Sequence, residues 1–293
     1  MAITTTSIIA DTIPTILEEA RFTEQFKAIM PPLCWNIKKE LHDGKNVNLP
    51  FWGTATATTL VEGQDMSASE TMADTLVTLT PAEYGCRIVY SHKVARDNKE
   101  DVSRAAGRIL GDAMVTKRDT DCTAQLDDGT NSLGGSGTLT MGVIAAARAI
   151  LAGNAVSTGG PAPMPYAVVH HPYTLLDLVD VVTPIVPTAT YLNVTGTAFT
   201  DDILKNYTIG KLFGMMIYED GNIAIASNVA KGGVFATGKG GALVLATALE
   251  WELNPQDDFS LRATELNCVG EYAVGEYLAG WIVELANDAT TPA

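Results

Sequence analysis

Two short alternating segments flank a region with few bulky side chains, and this arrangement constrains the fold more than any other feature of the sequence. Residues 47–52 and 76–80 each alternate apolar and polar side chains, the pattern of strands with one buried face. Between them, residues 53–75 are rich in Thr, Ala, Ser and Gly. Such a region builds hardly any core of its own, and ordering it costs conformational entropy. We therefore predict an extended hairpin that projects from the body or packs on a neighbour.

A long helix is predicted over residues 98–126, after a further strand at residues 84–91. Asn98 is suited to cap its first turn, and Gly129 to follow its last turn in the left-handed conformation. At roughly 1.5 Å per residue the helix would extend on the order of 40 Å. A helix of this length predicts a spine that lies across a sheet.

The apolar side chains of this helix fall into two narrow seams with helical spacing. The first seam consists of Val102, Ala106, Ile109 and Ala113, and the second of Leu110, Met114, Cys122 and Leu126. Arg118 interrupts the second seam. Opposite charges four positions apart can pair on the solvent side: Glu100 with Arg104, Arg108 with Asp112, and Lys117 with Asp121.

The chain is strongly acidic. Its 293 residues include 34 acidic and 19 basic side chains, which gives a net charge of -15. A free-standing DNA-binding protein normally carries a basic face, and Lys38 and Lys39 form only a short basic run. The composition argues against DNA binding and favours surfaces that repel nucleic acid.

The four cysteines, Cys34, Cys86, Cys122 and Cys268, lie far apart, and none forms a C-x-x-C pair. This spacing predicts neither a metal site nor a secreted disulfide framework. We interpret them as reduced, mostly buried thiols of an intracellular protein. The first residues carry no basic n-region, and Gly and Pro break the uncharged tracts, so we expect neither a membrane span nor a membrane partner.

The rest of the chain is predicted to form an N-terminal arm and a mixed α/β region. Residues 1–10 are expected to be an extended arm, and a short helix then ends at Pro31 and Pro32. Residues 131–137 are turn-rich and predict a hinge at a domain boundary. The expected elements beyond it are a helix at 143–151, a buried strand at 166–170, helices starting at Pro172 and after Thr200, a strand at 215–218 with a hairpin turn at Asp220 and Gly221, return strands at 249–253 and 260–269 with a turn at 254–258, and a last strand at 281–285.

One glycine-rich segment partly matches a nucleotide-binding motif. Residues 233–239 fit the first seven positions of a P-loop, but Gly240 stands where Mg²⁺ binding needs a Ser or Thr hydroxyl. Gly240 and Gly241 are also a poor start for the helix that should hold the phosphate. A flexible hairpin turn is therefore favoured, and we predict no cofactor and no catalytic residue.

His170 and His171 are the most tempting metal-binding or catalytic pair. Adjacent residues of a strand point to opposite faces, however, so the two imidazoles cannot easily share one ion. His171 precedes Pro172 at an expected strand-to-helix junction. We therefore predict a capping or packing role, and no metal ligand.

The serial order of these elements resembles the HK97-fold major capsid proteins of tailed bacteriophages over nearly the whole chain. Residues 47–52 through 78–85 look like the extended loop of that family and its return, residues 98–126 like its spine helix, and residues 209–217 like the bend of its axial lobe. The resemblance implies an α+β, HK97-like capsid fold with an N-terminal arm at 1–36, an extended β-hairpin loop and its base strands at 37–95, a peripheral domain with the spine helix at 96–134 and 250–293, and an axial α/β domain at 135–249.

The same resemblance implies a structural subunit, not an enzyme, that self-assembles into hexamers and pentamers of an icosahedral phage head. The head would be assembled in the host cytoplasm and enclose double-stranded DNA without binding it specifically, because an acidic wall does not hold phosphates. Expected partners are further copies of the chain, a portal, a decoration protein and a separate scaffolding protein, since the arm begins directly at Met1.

The candidates for contacts between subunits lie mainly on the hairpin and the spine helix. Phe51 and Trp52 form an adjacent aromatic pair on the hairpin arm, which fits either a partner surface or burial at the base of the arm. The charged candidates are Glu62, Asp65, Arg104, Arg108, Lys117 and Lys211. Two rival hypotheses stay open: an encapsulin-like nanocompartment shell that encloses cargo enzymes, and an α/β enzyme that uses the turn near Lys239 or the region of His170.

Overall fold

Three sheets organise the part of the chain that the computed structural model describes. The described residues are 28–40, 44–53, 55, 57–63, 65, 72, 74–97, 102–155, 159–182 and 210–292. Residues 1–27 of the expected N-terminal arm, the helix cap at Asn98 and the short helix after Thr200 lie outside these ranges, and the expected arm ends within β1. Among the helices within them, none is both long and apolar enough to cross a bilayer.

The first sheet contains β1 (Trp35–Lys38), β4 (Ala82–Ser91), β11 (Leu243–Asp258) and β12 (Ala263–Glu276). Its strand order is β1-β11-β12-β4, with β1 parallel to β11 and the other neighbours antiparallel. The long β11–β12 hairpin therefore forms the centre of this sheet.

The turn predicted at residues 254–258 is wrong, because these residues continue β11. They pair with residues 263–267 of β12, and the turn lies at residues 259–262. Strand β1 pairs only with residues 244–247 of β11. The later part of β11 thus has an open edge within the described sheet, where Pro255 need not donate a ladder hydrogen bond.

The second sheet is larger and contains β5 (Asn131–Gly137), β6 (Tyr166–His170), β7 (Lys211–Leu212), β8 (Met215–Glu219), β9 (Ile225–Ala226), β10 (Val229–Ala236) and β13 (Ile282–Asp288). Its main strand order is β5-β13-β10-β6-β8-β7, and β9 pairs with β10. Strands β6, β10 and β13 are almost fully buried, so the main core of the described chain surrounds this sheet.

Residues 131–137 form strand β5 and not the predicted hinge. They pair in parallel with β13. A Cβ atom at Gly134 would lie 2.5 Å from the backbone oxygen of Ala286, a distance that no larger residue tolerates. The glycines of this segment therefore permit close approach of two backbones.

The hairpin turn predicted at Asp220 and Gly221 is also wrong. Strand β9 pairs with β10 instead, through a turn at Ser227 and Asn228 with φ values of 53° and 61°. Two consecutive positive φ angles are typical of a tight hairpin turn. Strand β8, which ends before Asp220, pairs with β6 and β7.

The described helices are α1 (His92–Asp97), α2 (Val102–Ala124), α3 (Met141–Ala152) and α4 (Pro172–Val182), with a 3₁₀ turn at Ala279–Trp281. Helix α2 is the predicted spine and packs on β4 and β12. Its buried side includes Leu110, Met114 and Cys122 of the second predicted seam. The first seam is only partly confirmed, because Ala106 is buried whereas Ile109 is 58% exposed and Ala113 is exposed as well.

Arg118 is accommodated within the buried seam by two aromatic rings. Its guanidinium carbon lies 5.2 Å from the ring centroid of Trp251 and 5.4 Å from that of Tyr272. Cations are attracted to the negative faces of such rings. The arginine thus joins the spine helix to both central strands of the first sheet.

The third sheet is the predicted hairpin. Strands β2 (Val47–Trp52) and β3 (Asp74–Leu79) are antiparallel, with Val47 opposite Leu79 and Trp52 opposite Asp74. Both arms are confirmed, and the return arm begins two residues earlier than predicted.

The strands of one sheet come from more than one of the predicted domains. Strand β13 lies in the second sheet, although 250–293 was assigned to the peripheral domain. Residues 243–249 of β11 lie in the first sheet, although 135–249 was assigned to the axial domain. The domain limits stay a prediction.

Two adjacent residues of α2 test which seam is buried. Replacing Leu110, which is 1% exposed, by Ala should lower the free energy of unfolding by about 2–5 kcal/mol, because a cavity is left. Ile109→Ala should change it by no more than about 0.5 kcal/mol. Urea unfolding of unassembled subunits measures both. Equal losses for the two variants would contradict the observed orientation of the helix.

Candidate assembly surfaces

One face of the hairpin is covered by its own chain. Its inward side chains pack with Val244 and Ala246 of β11, and they are Val47, Leu49, Val77 and Leu79. Gly275 of β12 leaves room for this contact, because a Cβ there would lie 2.4 Å from Leu79 Cδ2. The base of the hairpin is therefore seated on the first sheet.

An aromatic cluster holds the outer end of strand β2. The ring centroid of Phe51 lies 5.7 Å from that of Tyr277 and 6.0 Å from that of Trp281, in edge-to-face geometry. Trp35 of β1 meets Tyr277 edge to face at 5.4 Å. The Tyr277 hydroxyl donates a hydrogen bond to the backbone oxygen of Pro50 at 3.1 Å. Edge-to-face contacts and this hydrogen bond stabilise the position of the arm.

The opposite face of the hairpin is open and includes two exposed apolar side chains. Trp52 is 57% exposed and Leu76 is 56% exposed, and both point away from the first sheet because neighbouring strand residues alternate. Leu60, Val61 and Met72 of the connecting segment are exposed as well. We call these five residues the outer hairpin surface. Phe51 is therefore packed at the base of the arm, whereas Trp52 is exposed and available to a partner.

The charged candidates do not gather at one place. Glu62 and Asp65 are exposed in the connecting segment of the hairpin, and Lys211 is exposed in β7 of the second sheet. Arg104 and Arg108 lie on the exposed side of α2. Their part in subunit contacts stays a prediction.

Lys117 makes the predicted pair on α2. Its Nζ lies 2.6 Å from Oδ1 of Asp121, four residues later, and 5.2 Å from the ring centroid of Tyr84. The predicted partner of Arg104, Glu100, lies outside the described residues. Lys117 therefore has contacts within its own subunit, between α2 and β4.

The tip of the β11–β12 hairpin is a second apolar surface. The sequence did not indicate it, because the turn was predicted at residues 254–258 and lies at 259–262. Phe259 is 81% exposed and Leu261 is 61% exposed. Asp258 shapes the tip, because its Oδ1 accepts hydrogen bonds from the backbone nitrogens of Ser260 and Leu261 at 2.9 and 3.1 Å and from the Ser260 hydroxyl at 2.7 Å. These hydrogen bonds lower the pKa of the Asp258 carboxyl.

The P-loop-like segment lacks the architecture that a nucleotide site needs. Residues 233–236 belong to the buried strand β10, and the turn at 238–240 leads into strand β11 instead of a helix. A P-loop holds phosphate at a helix N-terminus. The segment is a turn, but the predicted hairpin is wrong, because β10 lies in the second sheet and β11 in the first.

The two adjacent histidines accept hydrogen bonds from backbone nitrogens at the end of β6. Nδ1 of His170 accepts a hydrogen bond from the His171 nitrogen at 2.8 Å, and Nδ1 of His171 accepts one from the Tyr173 nitrogen at 3.2 Å. Burial lowers the pKa of His170 to about 4. The predicted capping and packing role is confirmed. Among the described residues, no three His, Cys, Asp or Glu side chains are grouped to hold a metal ion.

A buried pair of carboxylates fixes the start of the described chain to the spine helix. Oδ1 of Asp119 accepts hydrogen bonds from the backbone nitrogens of Ile29 and Met30 at 3.2 and 2.9 Å, and its Oδ2 accepts one from Nδ2 of Asn222 at 2.8 Å. Asp220 accepts a hydrogen bond from the Asn222 nitrogen at 2.8 Å. Burial, followed by the charge of Asp119, raises the pKa of Asp220 to about 7.

Comparison with known proteins gives similarity of structure only. No protein-family model matches the chain, and no curated protein sequence matches it. The chain is similar to a solved structure of the acid-stable capsid of Helicobacter pylori bacteriophage KHP30, with a TM-score of 0.67 and 11% identity over 87% of this chain and 88% of that one. It is similar to the capsid of Ralstonia phage GP4, with a TM-score of 0.65 and 12% identity over 91% and 92% of the two chains.

A third similar structure is a virus-like particle from Pyrococcus furiosus. Its TM-score is 0.61 at 12% identity, and the match covers 93% of this chain and 98% of that chain. At such low identity these similarities show a shared fold. They extend over most of the chain, from 87% to 93% in these three structures.

The buried carboxylate pair predicts how stability depends on pH. Between about pH 4 and pH 7 folded Asp220 keeps a proton that the unfolded chain releases, so the free energy of unfolding falls as pH rises through this range. The slope from one such group is at most about 1.4 kcal/mol per pH unit. Asp220→Asn keeps the acceptor for Asn222 and should flatten this slope in unfolding titrations. An unchanged slope would contradict the assignment.

Proposed function

We propose that this chain, which has the HK97-type fold of phage major capsid proteins, is a structural subunit that assembles with copies of itself into hexamers and pentamers of an icosahedral head around double-stranded DNA. The observation that carries the proposal is the outer hairpin surface on a chain of this fold. Two solved structures that are similar to this chain over most of both lengths are phage capsids.

The hairpin supports assembly because its inner face is held by its own chain while apolar side chains on its other face stay exposed. A two-stranded sheet is marginally stable in water unless a hydrophobic face is covered. The inner face is covered by β11 and the aromatic cluster, whereas Trp52 and Leu76 remain open. A neighbouring subunit that covers them would gain free energy from apolar burial.

Repetition makes weak contacts sufficient. In a closed symmetric shell each subunit makes the same contacts many times, and linked contacts strengthen one another. The exposed tip of the β11–β12 hairpin, with Phe259 and Leu261, is a second place where such a contact can form. We propose that the charged candidates Glu62, Asp65, Arg104, Arg108 and Lys211 add selectivity to these contacts.

The net charge of -15 supports a container and not a DNA-binding protein. DNA affinity rises with the number of phosphates that basic side chains neutralise, and an acidic wall leaves packaged DNA unattached. We propose that the protein is located in the virion capsid and is assembled in the host cytoplasm. A separate scaffolding protein, a portal and a decoration protein complete the proposed set of partners.

The encapsulin-like hypothesis is the second candidate function, since a virus-like particle from Pyrococcus furiosus has the same fold. The contents of particles purified from their natural source separate the two functions. Nuclease-protected double-stranded DNA of uniform length is expected for a phage head. Particles that hold a folded enzyme and no DNA would favour the nanocompartment. We propose no enzymatic activity, because the P-loop-like segment lacks its helix.

The outer hairpin surface should be needed for assembly and not for folding. A Trp52→Lys and Leu76→Asp double variant should keep the wild-type unfolding temperature, since a lysine at position 52 faces Asp74 across the hairpin. It should form no closed particles, because two charged side chains would be buried between subunits. Negative-stain electron microscopy and sedimentation measure the particles. Val94→Asp is the matched control, since Val94 is also an exposed apolar residue but lies on α1. Normal particles from the double variant would contradict the proposal.

A shortened hairpin provides a second variant for the same prediction. Residues 53–73 can be replaced by Asn-Gly, which connects the opposed residues Trp52 and Asp74 through a favoured two-residue turn. The inner face and its aromatic cluster are left in place. This subunit should fold and remain unassembled, whereas closed shells would show that the connecting segment has no role between subunits.

A further inference from the structure

All four cysteines, scattered in the sequence, form two neighbouring pairs in the fold. Cys86 of β4 lies directly opposite Cys268 of β12 in the antiparallel register. Cys34, just before β1, and Cys122, in the last turn of α2, belong to the same buried cluster. Their segments are joined there, because the Met30 nitrogen donates to Asp119 Oδ1 of α2 at 2.9 Å and the Cys34 nitrogen donates to the Met30 oxygen at 3.2 Å. All four are free thiols in this structure.

The Cys86–Cys268 pair has the geometry that a disulfide requires. Opposed residues of antiparallel strands have Cα atoms about 4.5–5.5 Å apart, within the range of about 4.4–6.8 Å seen across disulfides. Opposed side chains also share one face of the sheet. Both thiols join the apolar cluster beneath the spine helix, with Leu110 and Met114, so a bond between them would need no change in strand register.

The Cys34–Cys122 pair is more deeply buried. Cys34 is 3% exposed and Cys122 is fully buried. Contact with the Cys34 thiol, followed by burial, raises the pKa of Cys122 well above its usual value. A thiol held neutral in this way reacts slowly, so this pair stays reduced until the base of α2 opens.

We propose that these two pairs are latent disulfide sites, Cys86 with Cys268 and Cys34 with Cys122, that close when the protein passes from a reducing to an oxidising medium. The first bond would join β4 to β12 beneath the spine helix. The second would join the segment before β1 to the end of that helix. The proposal concerns the subunit itself and holds whether or not the subunit forms a shell.

Oxidised glutathione can supply the oxidising equivalents. The half-buried Cys86 thiolate attacks one glutathione sulfur, which forms a mixed disulfide and releases one glutathione thiolate. The Cys268 thiol then loses its proton and attacks the Cys86 sulfur, which releases the second glutathione thiolate. In total two protein thiols lose two protons and two electrons, and one glutathione disulfide becomes two glutathione thiols. Cys34 and Cys122 follow the same steps after local opening.

The two bonds would stabilise the subunit because each closes a long loop. Cross-linking residues that are far apart in sequence restricts the unfolded chain more than joining near neighbours does. The fully oxidised subunit should therefore unfold at a temperature at least about 5 °C higher than the reduced one. Dithiothreitol should reverse this shift.

The test oxidises the full-length subunit with glutathione disulfide at pH 8 and maps the bonds by mass spectrometry of unreduced peptides. The expected result is Cys86–Cys268 early and Cys34–Cys122 later, or at a temperature just below unfolding, with no mixed pairing. Cys86→Ala should abolish the first bond and leave the second, and Cys34→Ala should do the reverse. Because mapping of the wild type needs no variant, a folding defect in either variant does not affect the test.

Three results would overturn the proposal. One is glutathione attached to single cysteines with no bond within the chain after both incubations. Another is pairing other than the two stated pairs, such as Cys86 with Cys122. The third is the stated pairing with a lower unfolding temperature, which would show that the bonds strain the fold instead of stabilising it.

Discussion

The packing of the hairpin on its own chain determines which of its side chains stay exposed. Phe51 is fixed among Tyr277, Trp281 and the first sheet, so the alternation of β2 must direct Trp52 outward. If the base were loose, the open face would collapse onto the body and be buried there. Because the base is fixed, the apolar outer hairpin surface stays available to another chain.

The spine helix provides the rigid support that this arrangement needs. Its buried seam packs on β4 and β12, and Arg118 lies over rings from both central strands of the first sheet. Strand β12 also contacts Leu79 of the hairpin at Gly275, and β11 contacts the hairpin through Val244 and Ala246. The hairpin and the spine helix are therefore held by the same two strands.

Local patterns predicted the elements that depend on local chemistry. The period of two in residues 47–52 predicted β2, the helical spacing of Leu110, Met114 and Cys122 predicted the buried side of α2, and the position of His171 before Pro172 predicted a capped junction. The resemblance to capsid proteins rested on the order of such elements. It predicted the fold because proteins of one fold keep the same order of elements even where few residues are identical.

Features set by distant neighbours could not be predicted in this way. The glycines of β5 look like a hinge until Ala286 is seen against Gly134. Pro255 looks like a turn until β1 is seen to stop at residue 247 of β11. Ile109 has the spacing of a seam, but only the sheet decides which of two possible seams is covered. The candidate contact residues could not be sorted from the sequence for the same reason. Phe51 and Trp52 are both aromatic, and only the packing of Phe51 against Tyr277 shows which of the two is covered.

The same reasoning explains why the cysteine pairs escaped notice in the sequence. Cys86 and Cys268 become neighbours only through the pairing of β4 with β12, and Cys34 and Cys122 only because the chain before β1 passes the end of α2. Both pairs adjoin the spine helix, as do Arg118 and the buried carboxylate of Asp119. Tightly packed contacts of this kind resist deformation. In the proposed shell, the contacts that hold this helix in place would therefore keep the outer hairpin surface in a fixed position relative to the rest of the chain.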